Sequence, residues 1–166
     1  MKRVWSWATA IAVAGLVLIV PARLSAQESA RTRVISANPF GLLLELFNAE
    51  FEQKASGSTT AGVGGSLFTE SGDHYVNADV FYRYYPSGTP MDGWAFGAKL
   101  GVTSVTEAGT YIGYGFDVNH SWLLGQEKRF YVGLGFGLKR LVGVGDNYGG
   151  LKYIPTFRIV NIGFAF

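Results

Sequence analysis

The chain has 166 residues, room for one domain of ordinary size. It has no cysteine and only two histidines, which excludes a disulfide framework and a thiolate metal centre and leaves little for a histidine one. Charged residues make up 16%, against ~25% in ordinary soluble domains, and the formal net charge is +2; with the basic first segment set aside the balance is near −1, and no basic patch of the kind that binds nucleic acid survives.

The first segment, MKRVWSWATAIAVAGLVLIVPARLSAQ, sets Lys2 and Arg3 before an apolar run from Ala8 to Val20, then the small residues Ser25 and Ala26. That three-part pattern is that of a secretory signal peptide over residues 1–26, leaving a domain over 27–166. The run is short of the ~20 apolar residues of a spanning helix. Three of the 14 basic residues (Lys2, Arg3, Arg23) lie in it and none of the 12 acidic ones, so the remainder carries a formal charge of −1.

From there on no sustained helical period appears, and strand patterns bounded by turn chemistry repeat. The segment 33–54, RVISANPFGLLLELFNAEFEQK, is too long for one strand and divides near Glu45 and Leu46 into strands over 34–44 and 47–54. Turn signals ASGS, TESGD, PSGTPMDG, TEAG, LLGQEK and GVGDNYGG then bound strands over 59–68, 74–85, 94–105, 110–122, 129–142 and 152–166. The count is eight. Single-chain bacterial membrane barrels have even numbers of strands, and seven would leave the two ends of the sheet pointing apart.

Alternation assigns two faces. Val80, Tyr82, Phe96, Leu100, Ile112, Tyr114, Phe116, Val132 and Phe136 typify one that is apolar nearly throughout. The other is glycine, asparagine and a few charges: Glu50, Glu52, Asp79, Arg83, Lys99, Asp117 and Lys139. A water-exposed exterior would carry more charge and less glycine. A narrow lumen wants small side chains and mutually paired charges, because unpaired buried charge is costly. The reading is an all-β, eight-stranded antiparallel transmembrane barrel, an up-and-down meander. Its lumen is filled by a salt-bridge network, with Glu52 and Arg83 expected as a cross-barrel pair.

Aromatics on the apolar face collect beside the turns at one end: Tyr82, Tyr84, Trp94, Trp122, Phe130, Phe164 and Phe166. They are expected to form the interfacial girdle of a membrane barrel. In the last strand, FRIVNIGFAF, strict alternation places Arg158 with Val160, Ile162, Phe164 and Phe166.

The pieces NPFGLLLELFNAEFE (38–52), FYRYYP (81–86), GWAFGAKLG (93–101), FYVGLGFGLKR (130–140) and FRIVNIGFAF (157–166) together resemble the small eight-stranded outer-membrane β-barrel proteins, closest to an uncharacterised family of them. The resemblance implies a bacterial outer-membrane location and contact with outer-membrane lipid and lipopolysaccharide. It also implies delivery by the barrel-assembly machinery, with Val160, Ile162, Phe164 and Phe166 as the assembly signal. It implies a monomer without cofactor and imports no enzyme activity.

Other chemistry is thin. The glycine runs GLGFG and GVGG lack the lysine and helix of a nucleotide loop. His74, with Ser71 and Asp73 nearby, is the better-placed candidate for a lipid-modifying barrel enzyme; His120 and Ser121 are adjacent and so face opposite ways. Asp146, Asn147 and Glu107 offer oxygen ligands for calcium, though such residues are ordinarily solvated turn positions. A structural or interaction role in the envelope is the leading expectation. The alternatives are a lipid-modifying enzyme, a narrow pore, and a soluble barrel with the apolar face turned in on a small ligand.

Overall fold

The computed structural model describes residues 31–41, 46–70, 73–106, 108–144 and 152–166. Expectations resting on the segment 1–26, on Ser71, Glu107, Asp146 or Asn147, and on the glycine-rich turn beyond 144 therefore lie outside the described residues.

Eight strands run in chain order: β1 (Arg33–Ala37), β2 (Leu46–Lys54), β3 (Thr59–Glu70), β4 (Asp73–Tyr84), β5 (Gly93–Val105), β6 (Gly109–Leu124), β7 (Phe130–Val142) and β8 (Tyr153–Ala165). Each pairs antiparallel with its neighbours in sequence, and β8 pairs back on β1 to close the barrel. This is the all-β up-and-down meander that the eight alternating segments imply.

The turns obey local backbone chemistry. Gly88, Gly109 and Gly125 take φ of +71°, +109° and +84°, a region closed to most residues with a Cβ. At the end that carries the closing β1–β8 pair, Lys128 meets Asp92 at 2.9 Å and ties the β6–β7 turn to the β4–β5 loop.

The first strand differs from expectation. β1 stops at Ala37 instead of running to 44. Asn38 ends it: its Oδ1 accepts from the backbone N–H of Phe40 and of Gly41, both at 3.0 Å, an Asx turn that competes with the ladder. Pro39 has no N–H to give. The turn signal is Asn-Pro-Phe-Gly, upstream of the expected division at Glu45 and Leu46.

The last strand differs too. Gly133 pairs with Asn161 but Gly135 with Arg158, so Leu134 of β7 stands opposite both Ile159 and Val160 of β8. That β-bulge leaves Val160 at φ +44°, a strained position for a β-branched residue. It also inverts the alternation: Arg158, Asn161, Gly163 and Ala165 point inward, and Ile159, Phe164 and Phe166 outward. Arg158 is therefore a lumen residue, 5% exposed, and does not share a face with Phe164 and Phe166 as strict alternation would have it.

The barrel is apolar outside. Leu100, Ile112, Phe116, Phe136 and Phe157 are each more than half exposed. Apolar side chains also stop the two ends of the lumen. At the end near the β1–β8 closure Val34, Met91, Tyr131 and Ala165 pack with Leu123. At the opposite end Tyr75, Val105, Leu141, Val144 and Ile154 pack with Phe68, Ala108 and Tyr111.

Candidate functional site

Between those two stoppers the lumen is polar, and there the described residues gather their buried charges. Arg83 on β4 stands at its centre. Its Nη1 is 2.8 Å from Glu52 Oε2 and 3.0 Å from Glu50 Oε2, its Nη2 donates to Glu50 Oε1 at 3.2 Å, and its Nε reaches Asp117 Oδ1 at 3.4 Å. The guanidinium also lies 3.8 Å from the ring centroid of Phe81. A planar five-donor fork suits three carboxylates converging from β2 and β6; an ammonium could not satisfy them in this geometry.

The remaining charges extend the network. Arg158 Nη2 sits 3.0 Å from Glu50 Oε2 and donates to the Tyr131 hydroxyl at 2.6 Å. Lys99 lies 3.4 Å from Asp117 and donates to Thr156 Oγ1 at 2.7 Å. Lys139, fully buried, pairs with Asp79 and donates to the Val102 carbonyl at 3.3 Å. Glu52 Oε1 accepts from Thr60 Oγ1 and from the Tyr85 hydroxyl, each at 2.6 Å. Tyr85 lies one residue beyond β4, and burial, with Glu52 beside it, pushes its hydroxyl well above the ordinary tyrosine range.

All seven of the charges placed in the lumen from sequence are thus inside the barrel, and Glu52 and Arg83 are in contact. Their sum was uneven, four carboxylates against three cations. Arg158, hidden by the bulge, makes it four against four. A neutral set with every charge in contact is the arrangement in which buried ions cost least.

Glycine makes room for the network. A Cβ on Gly97 would run into the Asp117 carboxylate and come within 3.0 Å of Arg83 Cγ. Gly97→Val is therefore expected to push these two apart and to lower stability by ~1–3 kcal/mol, the usual range for overpacking a filled core. Chemical unfolding followed by tryptophan fluorescence checks it, and an unchanged midpoint would mean the network yields freely.

Two cavities bear on this network. One of about 60 Å³ lies within the network against Glu50, Asp79, Arg83, Lys99 and Asp117. A larger one of about 460 Å³ adjoins it on the side away from the β1–β8 closure. The described residues hold no grouping of three or more potential metal ligands.

The aromatic residues read as a girdle point outward: Tyr82, Tyr84, Trp94, Trp122, Phe130, Phe164 and Phe166 are each 38–64% exposed. His120 also faces out, edge-on to Trp94 at 4.8 Å between ring centroids and tilted against Trp122 at 4.4 Å. Ser121 faces in and is buried. His74 is at the far end of β4, where its Nδ1 and Thr69 Oγ1 lie 3.0 Å apart.

Neither a family model, nor a curated protein, nor a solved structure matches the chain. The class rests on the fold itself: a closed, eight-stranded, up-and-down antiparallel β-barrel with a charged interior.

Proposed function

We propose that this protein is an integral outer-membrane β-barrel, reached through a cleaved signal peptide, whose lumen is closed and whose role is structural or interactive at the envelope. One observation carries the reading: the barrel is inside-out. Ion pairs occupy the interior, and 24 large hydrophobic side chains are exposed among the described residues. Monomeric soluble proteins rarely show contiguous apolar surface beyond a few hundred Å². In a bilayer the same surface is the solvated one, and a closed barrel satisfies its backbone internally. The strands of β3–β8 hold 12 to 16 residues each, enough for the ~9–11 a tilted strand needs to cross.

On this reading the outward rings of Tyr82, Tyr84, Trp94, Trp122, Phe130, Phe164 and Phe166 lie at the periplasmic headgroup level, and outer-leaflet lipid and lipopolysaccharide surround the other end. Val160, Ile162, Phe164 and Phe166 are what the barrel-assembly machinery would read. Arg83, Tyr85, Tyr131 and Lys139, each nearly inaccessible, fill the section that a pore would leave open. That supports a non-conducting barrel, which we take to be a monomer without a cofactor, and no catalytic role is proposed for His74 or His120.

The test is fractionation followed by gel migration with and without boiling. The protein is expected in the outer-membrane fraction, with a compact unboiled band that shifts on heating. Removal of Phe166 is expected to reduce the inserted amount several-fold. A soluble periplasmic protein without a heat shift would overturn the reading in favour of a soluble barrel.

A further inference from the structure

We propose that the girdle end of the barrel carries a docking surface for anionic phospholipid headgroups: an arc of Arg31, Arg33, Lys54 and Arg129 around the joint where β8 closes on β1. The proposal rests on the membrane reading above and adds to it which lipids that end prefers.

Backbone hydrogen bonds gather the arc. Arg33 N donates to the Phe166 carbonyl and Phe166 N to the Arg33 carbonyl, each at 2.9 Å. Lys54 N donates to the Thr32 carbonyl at 2.7 Å, and Ala165 N to the Arg129 carbonyl at 2.8 Å. The end of β2, the start of β1, the end of β8 and the approach to β7 are thus fastened side by side. Arg31 joins them through Glu127, 3.6 Å away, which also meets Arg129 at 2.6 Å.

Charge here is not balanced as it is in the lumen. Among the described residues of the arc, Glu127 is the exposed carboxylate, and it stands against four cations. Glu28, outside the described residues, and a terminal carboxylate on Phe166 would each take one charge from that surplus and still leave it positive. Across the same mouth, Lys128 is matched by Asp92. On a domain whose formal charge is −1, a cationic arc is a local concentration and does not follow from composition.

Height selects a lipid over a soluble partner. Arg33 lies beside Phe166 in the ladder and on the outward face with Ile35, which is 56% exposed. Arg129 directly precedes the outward Phe130. The cations therefore emerge at the rim of the apolar exterior, level with the girdle rings. Long basic side chains lay their stems along apolar surface and hold their charge at the headgroups. There each is drawn to anionic lipid over about one Debye length. The turns beyond, 55–58 and 125–129, are short and offer a soluble acidic protein little to grip. The fitting headgroup is a phosphodiester without a cation of its own, as in phosphatidylglycerol. In phosphatidylcholine the choline already answers the phosphate.

The experiment uses the full chain inserted into mixed vesicles of these two lipids, with a spin-labelled form of each reporting the fraction immobilised on the barrel. Both leaflets hold both lipids, so the direction of insertion does not matter. Phosphatidylglycerol is expected to associate about fivefold more strongly, the effect of one cation beside one phosphate. The preference should fall toward unity at about 1 M salt, where screening acts within about 3 Å. Arg33→Gln with Lys54→Gln should bring it below about twofold, while Lys128→Gln with Lys152→Gln, removing the same charge outside the arc, should leave it above about threefold. Equal association of the two lipids, or equal losses in the two double variants, would overturn the proposal and leave the membrane reading intact. Capture of soluble polyglutamate by the inserted barrel, without a lipid preference, would overturn it in favour of an acidic protein partner. Absence of the heat-shifted band would instead count against the membrane reading, and the proposal would fall with it.

Discussion

Arg83→Met is expected to destabilise the barrel by ~3–5 kcal/mol, the cost of breaking a buried ion pair and stranding its partners. Three carboxylates depend on this guanidinium. Glu50 keeps Arg158 and Asp117 keeps Lys99, but Glu52 is left with only the neutral donors Thr60 and Tyr85. The paired change Arg83→Met with Glu52→Gln is expected to recover a large share of the loss, because it removes the stranded charge with the cation. The measurement is the denaturant midpoint of protein inserted in vesicles, followed through Trp94 and Trp122. A single variant within ~0.5 kcal/mol of the parent would mean that water reaches the network and screens it, which is the behaviour of an open channel.

The second large effect separates a membrane barrel from a soluble one. Phe116 is at the middle of β6 and points outward, 55% exposed. In a bilayer, Phe116→Arg is expected to cost ~2–4 kcal/mol, while Phe130→Arg, beside the β6–β7 turn, should cost only ~0–1 kcal/mol. In water both positions are surface sites, where substitutions usually fall within ~0.5 kcal/mol. The same two variants, assayed for stability and for the heat-shifted band, thus read depth in the membrane. Equal small effects at both positions would remove the bilayer from the account.

Much of this architecture is legible in the sequence because side chains in a strand alternate with a period of two. Once Asn77, Asp79, Phe81 and Arg83 are assigned inward, Val76, Ala78, Val80, Tyr82 and Tyr84 are fixed outward, and the partner strands follow. The lumen charges were legible for the same reason. Three features were not. Arg158 was hidden because a bulge adds one residue without a compositional mark; Val160 is neither glycine nor asparagine, so nothing local announces its φ of +44°. The end of β1 was masked by an apolar stretch, LLLELF, that continues past the Asn38–Gly41 turn as though the strand did. The plug made by Val34, Met91, Tyr131 and Ala165 was also beyond reach. Met91 lies outside any alternating run, and only the closed ring brings these side chains together.

The bulge has a consequence for how this strand can change. It lies immediately before the point where β8 begins to pair with β1, so the strand is two phrases with separate frames. The later phrase, Ile162–Ala165, is bound on both sides and shares its phase with the closing strand. The earlier one, Tyr153–Arg158, takes its phase, among the described residues, from β7. Substitutions that reset inside and outside in one phrase need not disturb the other. The wall of this barrel can therefore be revised at its seam, residue by residue, without reopening the joint that closes it.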